Sequence, residues 1–484
     1  MGREDQIIKE RLRKISELRE KGINPYAYRF DKKNSVEESL KHKLGSKVKT
    51  AGRVMTKRGI GKIIFSDLRD FSGKIQMVFQ DKETPKKDFS FFKRYIDMGD
   101  IVGVEGKIIK TKTGEISILV KKLELLTKSV LPLPEKWHGL QDKEDRYRKR
   151  YLDLIMNPEI KKTFETRRKI FDAIREFMKS KNFVEVETPI LQPIYGGTSA
   201  SPFESELNAL KMKVYMRISN EMYLKRLIVG GYEKVFEFSP DFRNEGIDRV
   251  HNPEFTQVET MWAYADYKDN MKFAEDMISY AVKKIHGKTK IKVGNNNIDF
   301  KKPWKKVRFL DVVKSKTKID FSKVKGLEDA KKVAKKIGVE ASKCDTIGEV
   351  MIRVFEEKVQ PHLIQPTLVH DYPLEAAGLA KATGDDEFFV SSFEIIINGT
   401  EIGLSYCEQN DPHVLENYWK SAEEKFKKGD EEAQRIDKDF INALKIGMPP
   451  TSGLGVGIDR LAMLLADKSS IRDVILFPFM KPKK

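Results

Sequence analysis

Apolar and polar residues alternate with a period of two on either side of a polar loop in VFEFSPDFRNEGIDRVHNPEFTQVETMW, from Val235 to Trp262, which predicts two joined strands. On the first arm Glu237, Ser239, Asp241, Arg243 and Glu245 share one face, and Phe236, Phe238 and Phe242 take the other. On the second arm Phe255, Gln257, Glu259 and Met261 fall together. Such a hairpin can present an arginine, a histidine, carboxylates and an aromatic ring to one small ligand. A fixed cation holds a phosphate, a ring stacks on a base, and a carboxylate accepts from an amine.

The rest of the chain frames this hairpin. Ile7 to Glu20 reads as a charged helix, stopped at Gly22 and Pro25. From Val48 to about Thr127, short segments punctuated by glycine predict five or so strands and a small barrel of the OB type. Such barrels bind single-stranded nucleic acid by stacking bases on aromatic rings and bonding to base edges. Phe65 and Gln76 fall on neighbouring strands joined at Asp70 to Gly73; on the barrel pattern alone, core is the simpler reading of Phe65. LPLPEKWHGLQDKEDRYRKRYLDL, Leu131 to Leu154, is a proline-stiffened linker running into a charged helix. The predicted divisions are 1–130 (helix and barrel), 131–150 (linker) and 151–484.

Within the last division, Lys162 to Lys181 sets Phe164, Ile170, Phe171, Ile174, Phe177 and Met178 along one side of an amphipathic helix. FVEVETPILQ follows as an alternating strand that must leave a central paired position at Pro189, which suits a subunit interface or internal packing. Gly196-Gly197 permits close backbone approach to a ligand. In MRISNEMYLKRL, Ser219 or Asn220 caps a helix whose first turn holds Glu221, where dipole complementation alone is enough to explain an acid. Residues 265 to 360 read as several helices, with a helical insertion at about 315–360.

SFEIIINGTEIGLSYCEQND carries the two-residue hairpin signal Asn398-Gly399. In that register Ile397 pairs with Thr400 and Ile396 with Glu401, so Glu394 and Glu401 share a face. They either meet solvent or share a cation; Mg2+ bridging substrate phosphates would relieve their repulsion. Strict alternation sends Glu408 to the opposite face from Glu401, and one extra residue, with a bulge expected at Gly403, would bring both into one pocket. PPTSGLGVGIDRLAML predicts a glycine-rich strand on which a flat ligand can lie, with Arg460 in the first turn of the next helix.

At 484 residues, two or three domains are expected. The net charge of +18 favours a polyanionic partner, although a solvated lysine-rich surface explains it as well. Two cysteines, Cys344 and Cys407, build neither a disulfide framework nor a zinc cluster and fit a reducing cytosol. No apolar run is long enough to span a bilayer, and MGREDQIIKERLRK lacks the apolar core of a signal peptide.

Taken together, these segments resemble the class II aminoacyl-tRNA synthetases, and most closely the lysyl-tRNA synthetases. FVEVETPILQ looks like their motif 1, FRNEGIDRVHNPEFTQVE like motif 2 and GLGVGIDR like motif 3. The resemblance spans nearly the whole chain. It implies an α+β architecture: an OB-type anticodon-binding barrel, then a catalytic domain of antiparallel sheet flanked by helices. It also implies a cytoplasmic homodimer with Pro189 near its interface, which binds ATP, L-lysine and tRNA(Lys) and needs Mg2+. ATP would meet Arg243 at the α-phosphate, Glu245 at the adenine amine, and His251 and Asn252 near the triphosphate. Phe255 and Arg460 would sandwich the base, and Glu394 and Glu401 would hold Mg2+. Arg243 and Arg460 would carry the catalysis. For lysine, Gly197, Glu259 and Arg243 match the α-amino and carboxylate end, Tyr406 the stem, and Glu221 and Glu408 the side-chain ammonium. Phe65, Gln76, Glu115 and Arg58 match anticodon-reading positions, which turns Phe65 towards stacking.

Three departures from the family pattern fall on four residues. Met261 stands for a usual tyrosine, Leu404 for asparagine, and Ala377-Gly378 for Ser-Pro. The resemblance implies ATP-dependent attachment of lysine to tRNA through a lysyl-adenylate. Its alternatives are a same-subgroup ligase with altered amino-acid preference, or a lysine-activating ligase with a non-tRNA acceptor. An acidic substrate would meet two like charges at Glu221 and Glu408. A non-catalytic nucleic-acid binder would leave Arg243, Glu394, Glu401 and Arg460 without a reason to occur together.

Overall fold

The computed structural model describes residues 2–134, 140, 142–384, 386–427 and 435–483. It divides into two compact units, Met1–Gln141 and Asp142–Lys484. Of the predicted linker, residues 135–139 and 141 lie outside the described residues.

In the first unit, helix Arg3–Glu20 precedes the barrel. Lys47–Val54 pairs with Ile101–Lys110 on one side and with Ile63–Arg69 on the other, which closes the sheet through Ile116–Thr127 and Lys74–Gln80. Closure removes free sheet edges. The alternating inward residues, among them Val48, Leu68, Met77, Val102 and Ile118, form one core. The barrel pattern does not announce helix Lys86–Tyr95, whose Phe92 ring stacks on Phe79 at 3.9 Å. Lys57 Nζ donates to the carbonyls of Phe92, Lys93 and Ile96 at the end of that helix.

The second unit is built on a nine-stranded sheet. Its centre is antiparallel, in the order Thr367–Pro373, Asp386–Ile397, Thr400–Cys407, Thr451–Gly457, Glu254–Ala263, Lys234–Phe242. The sheet is mixed, with a parallel strand at each end. Val184–Glu185 joins Lys234–Phe242 in parallel, and Lys305–Arg308 joins Thr367–Pro373 in parallel. Both follow long crossover connections, which return a strand in the same direction. The strand expected over FVEVET shrinks to two paired residues, leaving Val184, Ile190 and Leu191 41% exposed or more.

Helices Tyr267–His286 and Ile458–Leu465 cover the sheet, and Lys161–Ser180 packs on both. Ile170, Ile174, Phe177 and Met178 are buried as the amphipathic pattern requires. Asp266 caps the second helix with a reciprocal box to Asp269. The stretch read only as helical also holds a hairpin, Lys290–Val293 with Asn296–Asp299, ahead of strand Lys305–Arg308. Helices Phe309–Thr317, Leu327–Lys336 and Ile347–Lys358 then share a separate core around Val313, Ala330 and Phe355.

The bulge that the acids require is present, one residue earlier than expected. Ile396 pairs with Glu401 and Ile395 with Gly403, so Ile402 is the extra residue. Its side chain is buried in the core, and this anchors the bulge. Gly403 serves close approach instead: a Cβ there would stand 2.5 Å from the carbonyl of Gly455 on the neighbouring strand. Gly403→Ala is therefore expected to lose about 1–3 kcal/mol of stability through forced backbone separation. Urea denaturation checks this; a midpoint equal to that of the parent protein would show that the strand yields freely.

Candidate active site

The predicted hairpin folds as Lys234–Phe242 against Glu254–Ala263, with Asp241 opposite Phe255, Ser239 opposite Gln257 and Glu237 opposite Glu259. Beneath it lies Arg217, 1% exposed, whose guanidinium pairs with Glu237 at 2.7 Å and Asp241 at 3.3 Å. Asn220 Nδ2 donates to the other oxygen of Glu237 at 2.9 Å. Asn220 thus supplies the helix N-cap position without capping through its side chain, while Ser219 Oγ accepts from the Glu221 amide at 3.1 Å.

Above the strands opens a cavity of about 300 Å³. Arg243, Glu245, His251, Asn252, Phe255 and Arg460 stand on its wall. So do Gly197, Glu221, Glu259, Glu401, Tyr406 and Glu408. The residues assigned to a nucleotide and those assigned to an amino acid therefore meet in one space. The bulge at Ile402 lets Glu401 and Glu408 both reach it from one strand.

At the nucleotide end the Arg243 guanidinium lies 5.0 Å over the Phe255 ring. The guanidinium from motif 2 thus covers one face of the ring. Arg460 instead donates to Glu401, through the backbone carbonyl at 3.1 Å and the carboxylate at 3.0 Å, and stands 3.3 Å from His251 Nε2. Asp248 holds the other ring nitrogen of His251 at 2.8 Å. Asn252 donates to the carbonyl of Glu254 at 2.6 Å, and its Oδ1 is buried without a partner.

Glu394 is not on the cavity wall. It accepts from Tyr372 Oη at 2.8 Å, and burial followed by repulsion from Glu401 pushes its carboxyl up to about 8. An acid pair under this repulsion fits a hard cation. No group of three or more His, Cys, Asp or Glu side chains able to hold a metal occurs among the described residues. Two carboxylates still suit Mg2+, which fills its remaining positions with phosphate oxygens and water.

At the amino-acid end, Glu259 is buried, and burial followed by repulsion from Asp241 and Glu221 raises its pKa well above the carboxylate range. Gln257 Nε2 donates to Glu259 Oε1 at 2.6 Å and to Asp241 at 2.5 Å, while Glu259 Oε2 has no partner. An arriving ammonium would satisfy that oxygen. Gly197 adopts φ +96, and a Cβ there would crowd Ser219 and Glu221 at 3.0–3.2 Å.

Glu221 and Glu408, the acids matched to the lysine ammonium, already have a cation of the chain's own beside them. Lys225 Nζ lies between them, ion-paired to both, at 2% exposure. Burial opposes its charge, but Glu221 and Glu408 outweigh burial and raise its pKa. Tyr406 Oη donates to the second oxygen of Glu221 at 2.7 Å. Lys225 is four residues past Glu221 on a helix, a spacing visible in the sequence that places both on one face. Arg217 gave no comparable signal, because nothing local pairs it with Glu237. Of the departures, Met261 is buried in the wall at 3% exposure beside Gly453, and Leu404 also lines the cavity. Gly378 lies under the Tyr418 ring, where a Cβ would clash.

In the barrel, Arg58 pairs with Phe65 and Phe65 with Val78, so all three share a face. Phe65 is half-buried and belongs to no core cluster, unlike its neighbour Ile64. Gln76 Nε2 donates to Glu115 at 2.9 Å and its Oε1 accepts from Ser117 at 3.0 Å.

Residues 142–481 match the family of class II tRNA synthetases for D, K and N, and residues 48–126 match the OB-fold nucleic acid binding domain. Among similar proteins are the lysine–tRNA ligases of Pelotomaculum thermopropionicum, 46% identical over 100% of this chain and 97% of the relative, and of Carboxydothermus hydrogenoformans, 47% identical over 99% of both. That of Clostridium novyi is 47% identical over 99% of this chain and 95% of its own. Three ordered motifs, two of them lining one cavity, a closed barrel ahead of them in the chain and identity along nearly the full length agree: the chain belongs to the class II tRNA synthetases, in the lysine–tRNA ligase branch.

Proposed function

We propose that this chain joins L-lysine to tRNA(Lys) in two steps through a lysyl-adenylate. The observation that carries the reading is that Arg243 and Arg460 share one cavity with Glu221, Glu259 and Glu408. In the first step a lysine carboxylate oxygen attacks the α-phosphorus of ATP, and the bond to the β-phosphate oxygen breaks to release pyrophosphate. Arg243 neutralises the α-phosphate and orients the carboxylate; Arg460 steadies the nucleotide from the opposite wall. Glu245 reads the adenine amine, and His251 and Asn252 face the triphosphate. Glu259 accepts from the α-ammonium through its unpartnered oxygen. In the second step a ribose hydroxyl at the tRNA terminus attacks the adenylate carbonyl and AMP leaves. No side chain acts as nucleophile; positioning and charge neutralisation supply the rate. Mg2+, held by Glu394 and Glu401, would add positive charge beside the phosphates.

We also infer a homodimer, supported by the exposed apolar residues Val184, Ile190 and Leu191 around Pro189. A reducing, cytoplasmic setting suits the two free cysteines. Among the described residues no helix is long and apolar enough to cross a membrane.

ATP–pyrophosphate exchange against a panel of amino acids tests the assignment. Lysine should dominate; a stronger response to another amino acid would overturn the substrate. Lysine-dependent exchange without charging of tRNA(Lys) would overturn the acceptor. The anticodon face has its own test. Removing the ring in Phe65→Ala should lose a stacking interaction of about 1–3 kcal/mol. Aminoacylation kcat/KM would then fall roughly 5- to 150-fold while exchange stays unchanged. Equal charging by the variant would return Phe65 to a packing role.

A further inference from the structure

The side-chain end of the cavity contains a charge that the reaction as described does not use. Lys225 is buried, lies on the same helix face as Glu221, and its Nζ meets one oxygen of each acid. The charged and titratable groups facing it are Glu221 from its own helix, Glu408 from the segment after Thr400–Cys407, and Tyr406, whose ring centre is 5.7 Å from Nζ. Strand Glu254–Ala263 brings Glu259 towards Glu221 and the uncharged Met261, and strand Thr451–Gly457 contributes only Gly453 here.

With all three groups ionised the sum is minus one, on side chains 9% exposed or less. A substrate with one ammonium brings it to zero. Without the resident cation, two buried carboxylates facing one ammonium would leave a negative charge uncompensated, or one acid would take up a proton. We propose that Lys225 is the resident counter-ion of the lysine pocket, neutralising one of Glu221 and Glu408 so that a single negative charge remains to select a side chain carrying one ammonium. The proposal rests on the reading that these two acids hold the substrate ammonium. It makes Lys225 a specificity-determining residue that acts through the acids.

Geometry supports a resident cation over a plug that lysine must expel. Each carboxylate gives Lys225 only one oxygen: Oε1 of Glu221 and Oε2 of Glu408. Glu221 Oε2 faces the Tyr406 hydroxyl, and Glu408 Oε1 faces Gly453 on the cavity wall. A second ammonium that leaves Lys225 in place must therefore bond these two oxygens, sharing Glu221 Oε2 with the Tyr406 hydroxyl. Burial pushes Glu408 up to about 8 even against the pull of Lys225, so Lys225 alone does not offset the cost of its charge. An ammonium is its natural relief.

The test is a charge-count cycle on the full-length protein, read as the KM for lysine in ATP–pyrophosphate exchange. Glu408→Gln leaves Glu221 and Lys225 at a sum of zero, and the KM should rise about a hundredfold. Adding Lys225→Met restores a sum of minus one, and Lys225→Met/Glu408→Gln should recover at least about tenfold of that loss. The mirror pair, Glu221→Gln and Glu221→Gln/Lys225→Met, should behave alike and stands in if the first double variant does not fold. An unchanged KM for ATP shows that the rest of the cavity is intact. If Glu408→Gln and Glu221→Gln leave the lysine KM unchanged, these acids do not hold the ammonium and the underlying reading fails. If they raise it and Lys225→Met gives no recovery on either background, that reading stands and the counter-ion proposal falls. A lysine KM below that of the parent in Lys225→Met alone would make the residue a competitor of the substrate and also overturn the proposal.

Discussion

Arg243→Ala should lower the rate of lysine-dependent ATP–pyrophosphate exchange by about 10²- to 10³-fold, the range seen when a single preorganised donor to transition-state charge is removed. Charge builds on the α-phosphate oxygens as the lysine carboxylate approaches. The guanidinium suits that task because it is planar, always charged and able to bond two oxygens at once. It is held ready by the Phe255 ring at 5.0 Å and by the carbonyl of Ile218 at 3.4 Å. Its removal also takes a positive charge away from Asp241 and Glu259, whose buried carboxyls it helps to hold down. Lysine binding should therefore weaken along with the chemistry. A lysine analogue lacking the carboxylate should lose much less affinity, since it never used Arg243. Exchange near the parent rate would remove Arg243 from the reaction and the proposed geometry with it.

Gly453→Ala is expected to raise the KM for lysine by about ten- to a hundredfold while leaving the KM for ATP within about twofold. A Cβ at this position would run into Glu408 Oε1 and stand 3.0 Å from Met261 Cε and 3.1 Å from its Sδ. These are tips of flexible side chains, but what surrounds them resists a shift. Glu408 is tied to Lys225, and Met261 is buried among Met222, Leu224 and Val235. The backbone is pinned as well, because the Gly453 carbonyl accepts from Ser405 Oγ at 2.6 Å and Asn270 Nδ2 at 3.3 Å. The strain therefore falls on the ammonium pocket. Arg243, His251 and Arg460, at the nucleotide end, do not touch it. Here Met261 and Gly453 act as a matched pair: the flexible thioether fills the wall that the glycine leaves. An unchanged lysine KM would show that Glu408 moves freely and does not define the pocket.

Much of the site was legible because it is local. Period-two alternation placed Phe255, Gln257, Glu259 and Met261 on one face, and the pairing of the two strands keeps them there. Asn398-Gly399 fixed the hairpin register at Ile397 with Thr400, and the mismatch between Glu401 and Glu408 demanded a bulge. Its position at Ile402 and not Gly403 was not legible. A bulge goes where a side chain can be buried, and that depends on the helices beneath the sheet. The same limit explains the parallel edges. Val184–Glu185 and Lys305–Arg308 alternate like any short strand, and only the crossover connections set their direction.

By itself the sequence determined the order of motifs, the closed barrel, the central hairpins and the type of residue at each site position, because turns, periodicity and strand register act over a few residues. Only the tertiary structure decided that Arg217 sits under Glu237 and Asp241, that Arg243 covers Phe255 while Arg460 turns to Glu401, and that Lys225 bridges Glu221 and Glu408. These are pairings of buried charge across elements far apart in the chain. A charge removed from water takes whichever opposite charge the packing brings nearest, and sequence spacing does not encode that choice.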